Sequence, residues 1–504
     1  MTLLIENVQV LGAREKFSGP VDVFISGEKI SAIGDLGGKV ADQMIEGQGA
    51  YLAPGFIDVN TDSDHYLSLF TDPEQSDFLR QGVTTIIGGN CGASLAPLLY
   101  GGLESIQKWA DLRQINVDWH TVHEFLSLFE TKRPLGVNFA TLIGHATIRR
   151  ALLGESLRDL TKNELMVFSE TLRKALQEGG FGLSTGLGYV HSRKVPYQEV
   201  KSLLGIIKEH DGVYTTHLRK SGSELQESID ETVRVAKETG VKTIVSHLLP
   251  LRGFEREYEK ALETIDGLPP ELDVHFDLYP FDMSMLALYT FLPLWAQNGG
   301  LEVMASNVKD EWLHARIVKD LPEISDHHGF IVAQAPRNND LVGRSLKDLT
   351  EIYEKGPREA LLHLMIATNL RATVLYRNIN GGFISRALKS PRAFVSSNAA
   401  SMREDALVRI KKPERATATF PRFLAMAEKE NLMSLEDAIS KITREPARLF
   451  GIKGRGVIQE GAIADLAGFK NGEVKFTVVN GRVAMKDGVR IGVLAGRVFR
   501  HHAQ

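Results

Sequence analysis

"TKNELMVFSETLRKALQEGGFGLSTGL", residues 161–187, changes its internal rhythm partway through. Over 161–179 the apolar residues return every three or four positions, as on a helix with one buried face. The stretch "GLSTGL" (182–187) is then short, apolar and strand-like. A second helical pattern, "SELQESIDETVRVAKETG" (223–240), leads to the strand-like "TIVSHL". Helices alternating with buried strands are the grammar of parallel βα units. Eight candidate strands follow one another: "GFIDVN", "TTIIGGN", "NFATLIG", "GLSTGL", "VYTTHL", "TIVSHL", "VHFDLYP" and "AFVSSN", ending at 60, 90, 144, 187, 217, 248, 280 and 398. Most gaps suit one βα unit, so the expected class is α/β, a (β/α)8 TIM-type barrel. The long last gap implies a helical insertion at about 283–390, between strands seven and eight. Its runs "MSMLALYTFLPLWAQ" and "EWLHARIVKDL" read as core rather than as a ligand box.

The two ends are written differently. Residues 1–55 contain "LLIENVQVLG" and "VDVFISGEKISAIG", and 451–504 show turn signals at Asn471-Gly472, Asn480-Gly481 and Asp487-Gly488. Neither end has strands enough for a core of its own, which predicts one small β-sandwich built from both termini, 1–55 and 451–504, around the barrel at 56–450. With Lys+Arg 59 against Asp+Glu 63 the formal charge is -4, which gives no electrostatic footprint for nucleic acid or an anionic membrane. The basic run "RIKKPER" (409–415) reads as a solvated loop. No apolar run approaches the ~18 residues of a membrane span. The only cysteine, Cys91, fits a reducing compartment, so a cytoplasmic protein is expected, and the oligomeric state is left open.

In a barrel the strand ends converge on one mouth, so residues remote in sequence can share a site. Strand two runs into Cys91, strand five carries His217 and strand six carries His247. One thiolate and two imidazoles suit zinc, at about 2.3 Å for sulfur and about 2.0–2.1 Å for nitrogen, with a fourth position left for water. One zinc per chain is expected.

Several motifs resemble those of the N-acyl-D-amino-acid deacylases, or D-aminoacylases, of the amidohydrolase superfamily. They are "APGFIDV", "GGNCGASLAP", "LIGHATIRR", "GLSTGLGYV", "THLRKSG", "VSHLL", "DLYPF", "TATFPRFL", "REPARLFGIKGRGVIQEGAIADLAGF" and "VLAGRVFR", and they span nearly the whole chain. The resemblance implies a barrel with a two-terminus β-sandwich, an insertion after strand seven, and zinc held by Cys91, His217 and His247. It also marks departures. Where the family ends its first strand in His-Thr-His and supports a second, weaker metal, this chain has Asn60-Thr61-Asp62. Where the family carries a general-base Asp after strand eight, this chain has Asn398, an amide with no readily available proton-accepting site near neutral pH. Leu249 replaces a Lys expected to bind a substrate carboxylate, while Tyr279 keeps a substrate-site position.

Two readings follow. In one, the chain is a mononuclear zinc hydrolase of a C–N amide bond in a small molecule, with Asp62 as relocated base, Asp64 the lesser candidate, and His145, Arg149 and Tyr279 near substrate. His145 and Asp62 also admit purely structural roles, and Arg149 a salt-bridged one. In the other, the chain is a pseudoenzyme that keeps a structural zinc or a ligand pocket for binding or assembly.

Overall fold

A computed structural model describes residues 1–15, 17–100, 102–103, 115–403 and 409–501. Eight parallel strands organise its centre: Phe56–Asp58, Val83–Gly88, Asn138–Thr141, Gly182–Gly186, Val213–His217, Lys242–Val245, Val274–Leu278 and Ala393–Val395. Each pairs with its sequence neighbour. The third continues as Ile143–Gly144, so that Val83–Gly88 pairs with its first half and Gly182–Gly186 with its second. The last strand returns to the first: the Asn398 N–H donates to Asn60 O at 2.9 Å and the Asp62 N–H to Ala399 O at 2.8 Å. The strands read as continuous apolar runs because both faces are covered. Ile57, Ile87, Ala140, Val213, Ile244 and Phe394 form one buried cluster. Outside them, amphipathic helices such as Lys162–Gln177 bury Phe168, Leu172 and Leu176. That helix starts where Thr161 and Glu164 cap each other's backbone N–H groups, which satisfies two otherwise orphaned donors.

The two ends of the chain meet in a single nine-stranded sheet. Tyr51–Pro54 pairs parallel with Thr2–Val10 on one side and antiparallel with Leu466–Lys470 on the other. Ile5, Val23 and Ile25 from the first end pack with Leu466, Phe476 and Val478 from the second. Among the described residues no helix is long and apolar enough to cross a membrane.

The insertion differs from the expected helical segment. It holds five helices of eight or more residues, Gly300–Asn307, Glu311–Asp320, Leu346–Tyr353, Pro357–Ala367 and Gly381–Lys389. It also holds a three-stranded antiparallel sheet of Ser284–Ala287, Phe330–Gln334 and Thr373–Tyr376. The runs "FIVAQ" and "TVLY" are β-branched and only four or five residues long, so they carry strand preference that a search for longer helical periods passes over. Leu288, Phe291, Phe330, Leu361 and Val374 give this unit a core of its own. The basic run at 409–415 is a solvated loop only in part, with Arg409, Lys411 and Glu414 exposed. Lys412 Nζ lies 2.9 Å from the buried Asp77 carboxylate, and Arg415 is only 4% exposed.

Candidate active site

Three strand-end residues enter the mouth with their backbones in the left-handed region: Cys91 (φ 52°), His247 (φ 38°) and Asn398 (φ 43°). A residue with a Cβ pays steric strain there, on the order of 1 kcal/mol or more, and holds it only when its surroundings fix it. For Cys91 the surroundings are visible. Gly89 (φ +75°) and Gly92 (φ +81°) flank it, and a Cβ on Gly89 would stand 2.1 Å from Leu142 O, while one on Gly92 would stand 2.6 Å from Gly186 N. Ser184 Oγ donates to Gly89 O and accepts from the Gly92 N–H at 3.0 Å, which ties the turn to the fourth strand. Gly89→Ala should therefore destabilise the fold by about 3 kcal/mol or more, because the obstructing atoms are backbone. A denaturant titration showing a loss below 1 kcal/mol would contradict this account of the turn.

The turn delivers Cys91 to the two histidines. Cys91 Sγ is 3.4 Å from His247 Nε2, and His217 Nδ1 is 3.0 Å from the same nitrogen. One ligand atom from each residue lies within 4.8 Å of the others. A tetrahedral zinc with ordinary bond lengths would separate two nitrogens by about 3.4 Å and a nitrogen from sulfur by about 3.6 Å. The donor set and its spacing fit zinc. Burial pushes His247 down to about 4, so its ring is neutral near neutral pH, as a ligand must be. The His217 ring lies between two others: Tyr189 stacks on it at 4.7 Å, and His247 meets it edge-on at 4.7 Å. The His247 N–H donates to Asp277 at 3.0 Å.

Asp277 also takes Ser396 Oγ–H at 2.5 Å and both contacts of the Asn60 Nδ2 amide at 3.2 Å. Asn60 is thus engaged inside the strand ring and is absent from the cavity lining. Burial raises Asp277 to about 6, and it raises neighbouring Asp58 to about 7 despite the Ser397 and Asn60 N–H donors to that carboxyl. For Asp58 the folded pKa exceeds the unfolded value of 3.8, so its contribution is complete below 3.8 and is lost as pH rises to 7. Wild-type stability measured against Asp58→Asn should fall by about 1 kcal/mol per pH unit across that window. A flat difference between the two melting curves from pH 4 to 7 would show that Asp58 is ionised throughout.

The cavity above these residues has a volume of about 710 Å³. Cys91, His217, His247, Asp62, Asn398 and Tyr279 all line it, so six expected residues come together. His145 and Arg149 do not, which corrects the expectation that they meet substrate. His145 Nε2 is 2.9 Å and Arg149 Nε 3.0 Å from Glu199 Oε1, and all three residues are buried. A buried carboxylate needs such partners, and the imidazole and the guanidinium are both spent on it. Asp64 is structural as well, accepting the Gly89 N–H at 2.6 Å.

Sequence reasoning missed three contributors. His65 Nδ1 is 3.1 Å from Asp62 Oδ1, and its Nε2 is 3.1 Å from Ala93 O. Burial opposes charge on His65, but Asp64 and Asp62 outweigh it and raise the ring to about 9, while burial of Asp62 is outweighed by His65 and Arg415 and its carboxyl falls below the usual range. Arg415 opens the helix Arg415–Lys429, donates to Ser397 O at 3.1 Å and to Asn398 O, and lies over the Tyr279 ring at 4.9 Å. Its buried Nε has no acceptor. It stands two residues before the "TATFPRFL" motif, and that adjacency was the available signal. Asp277 was legible only as the last polar residue of the seventh strand.

Parallel βα units whose strand ends gather one thiolate, two imidazoles and a rim carboxylate make a candidate metal site at the mouth. Residues 369–484 match the family model described as Amidohydrolase family. Over 506 residues the chain is 27% identical to D-aminoacylase of Alcaligenes xylosoxydans xylosoxydans, covering 96% of this chain and 94% of that one. The solved structure of a D-aminoacylase superposes with a TM-score of 0.80 at 24% identity over 99% of each chain. N-acyl-D-glutamate deacylase from Bordetella bronchiseptica, solved with zinc and a phosphonate mimic of the tetrahedral intermediate, superposes with a TM-score of 0.79 at 23% identity over 99% of each chain. The chain is thus similar to D-aminoacylases over almost its whole length and shares their fold.

Proposed function

We propose that the eight strands close into a (β/α)8 barrel and that Cys91, His217 and His247 hold one zinc at its mouth, where the enzyme hydrolyses the amide of an N-acyl amino acid. The observation that carries this reading is the meeting of three donor atoms from three strand ends within 4.8 Å. A bound zinc would supply Lewis acidity toward the amide carbonyl and lower the pKa of a water toward ~7. The chain's own residues supply the rest. Asp62, kept anionic by His65, receives the proton of the attacking water and stands ready to return it to the leaving nitrogen. Arg415, with an unused buried Nε, holds the substrate carboxylate in the role that Leu249 has given up, and the Tyr279 ring beneath the guanidinium keeps it in place. The apolar wall of Leu218, Leu248, Leu249 and Phe254 excludes water from the reacting amide.

Two observations favour the competing reading, a zinc-keeping pseudoenzyme: Asn398 stands where a base is expected, and the carboxyl of Asp62 lies below the usual range, which weakens it as a base. A turnover screen of purified protein against N-acyl-D- and N-acyl-L-amino acids, run beside metal analysis, separates the two. Hydrolysis of one hand with about one zinc per chain supports the enzyme, and full zinc occupancy with no turnover supports the pseudoenzyme.

A further inference from the structure

The first strand leads into a short loop, Asp62-Ser63-Asp64-His65, which borders the cavity through Asp62 and His65. Two of its side chains also grip the neighbouring turn that carries Cys91. Asp64 Oδ2 accepts the Gly89 N–H at 2.6 Å, and His65 Nε2 lies 3.1 Å from Ala93 O. The cysteine is thus braced from one loop, at the residue two before it and at the residue two after it. Ser63, Asp64 and His65 are buried, so water does not compete for these contacts.

The His65 ring has a second contact, with Nδ1 standing 3.1 Å from Asp62 Oδ1. A carbonyl oxygen only accepts, so Nε2 must carry the hydrogen that bonds Ala93 O. With His65 raised and Asp62 lowered, Nδ1 carries one too, and the ring is an imidazolium that donates from both nitrogens. A flat ring fixes its two donors relative to each other. The position of Asp62 Oδ1 is therefore referred, through one rigid group, to the backbone of the Cys91 turn. Both ends of that link need support. Cys91 has φ 52°, a conformation that persists only while its surroundings hold it. The Asp62 backbone is tied instead to the far side of the first strand, its N–H donating to Ala399 O at 2.8 Å, which leaves the direction of the carboxylate to side-chain torsions.

We infer that His65 is a positioning residue that couples the proton acceptor to the metal turn: its Nδ1–H aims the Asp62 carboxylate, and its Nε2–H braces the backbone that presents the Cys91 thiolate. This rests on the hydrolase reading of the same cavity. Asparagine and glutamine separate the two contacts, because the Asn amide falls near the place of Nδ1 and the longer Gln amide near that of Nε2. The measurements are zinc release from the loaded protein to an excess of chromogenic chelator, and hydrolysis of whichever N-acyl amino acid of the screen wild type cleaves fastest. In His65→Gln, zinc release should stay within about threefold of wild type, while kcat falls about 100-fold at nearly constant KM. In His65→Asn the pattern should cross, with zinc leaving about tenfold faster and the zinc-replete kcat falling about tenfold or less. Asp64 still holds the other flank of the turn in both variants, so zinc is not lost outright. Equal losses in the two variants, or wild-type behaviour in both, would overturn the coupling. If wild type cleaves nothing in the screen, the hydrolase reading falls by itself. Zinc release that is faster in His65→Asn than in His65→Gln would then keep the brace on the Cys91 turn, and equal release would overturn it too.

Discussion

Cys91→Ala should leave the purified protein with less than about a tenth of the zinc carried by wild type, and amide hydrolysis should fall to background. The thiolate is the only anionic ligand in the cluster. Removing it leaves two imidazoles, neutral as ligands, to hold a doubly charged ion. The expected loss of zinc affinity is on the order of a thousandfold or more. Because Cys91 is 7% exposed and alanine is smaller, the fold itself should survive, and a chelator should lower the melting temperature of wild type but not of the variant. Metal analysis showing equal zinc in both proteins would end the assignment of the cluster as a metal centre.

Asp62→Asn separates binding of metal from use of it. Asp62 is not one of the three donors, so zinc content should stay near one per chain while kcat falls by about 10²- to 10⁴-fold, the usual worth of a proton-transfer group. The same substitution removes the partner of His65. His65 is held at about 9 against a reference of 6.5, so the stability it lends is complete below 6.5 and is lost as pH rises through 9. Wild type should therefore lose stability between those two values, and Asp62→Asn should lose less. Unchanged kcat in a zinc-replete variant would show that the proton goes elsewhere or that the wild-type rate does not depend on a base.

What could be read from the sequence divides along physical lines. The eight strands are buried on both faces and spaced by helices with one apolar side, so their positions are written in residue type over long windows. Cys91, His217 and His247 stand at the ends of such strands, and position alone brings them together. His145 and Arg149 misled because a polar residue after a strand looks the same whether it faces the mouth or packs outward. Only coordinates reveal Glu199, fifty residues on, as their partner. Arg415 and His65 were hidden for the opposite reason. Arg415 owes its importance to desolvation and to neighbours from other segments, whereas His65 owes its charge to Asp62 and Asp64 beside it, and the burial of neither leaves a local pattern. The strands of the insertion were lost in a segment whose longer helices dominate its periodicity.

The shared nine-stranded sheet has a consequence for biosynthesis. On the ribosome, Tyr51–Pro54 emerges early but lacks one of its neighbours until Leu466–Lys470 has been made, after the whole catalytic unit has been translated. Until then one flank of the nascent sheet offers unpaired backbone groups to any passing strand. Nascent chains stalled before residue 466 should therefore show chaperone dependence that the released protein lacks.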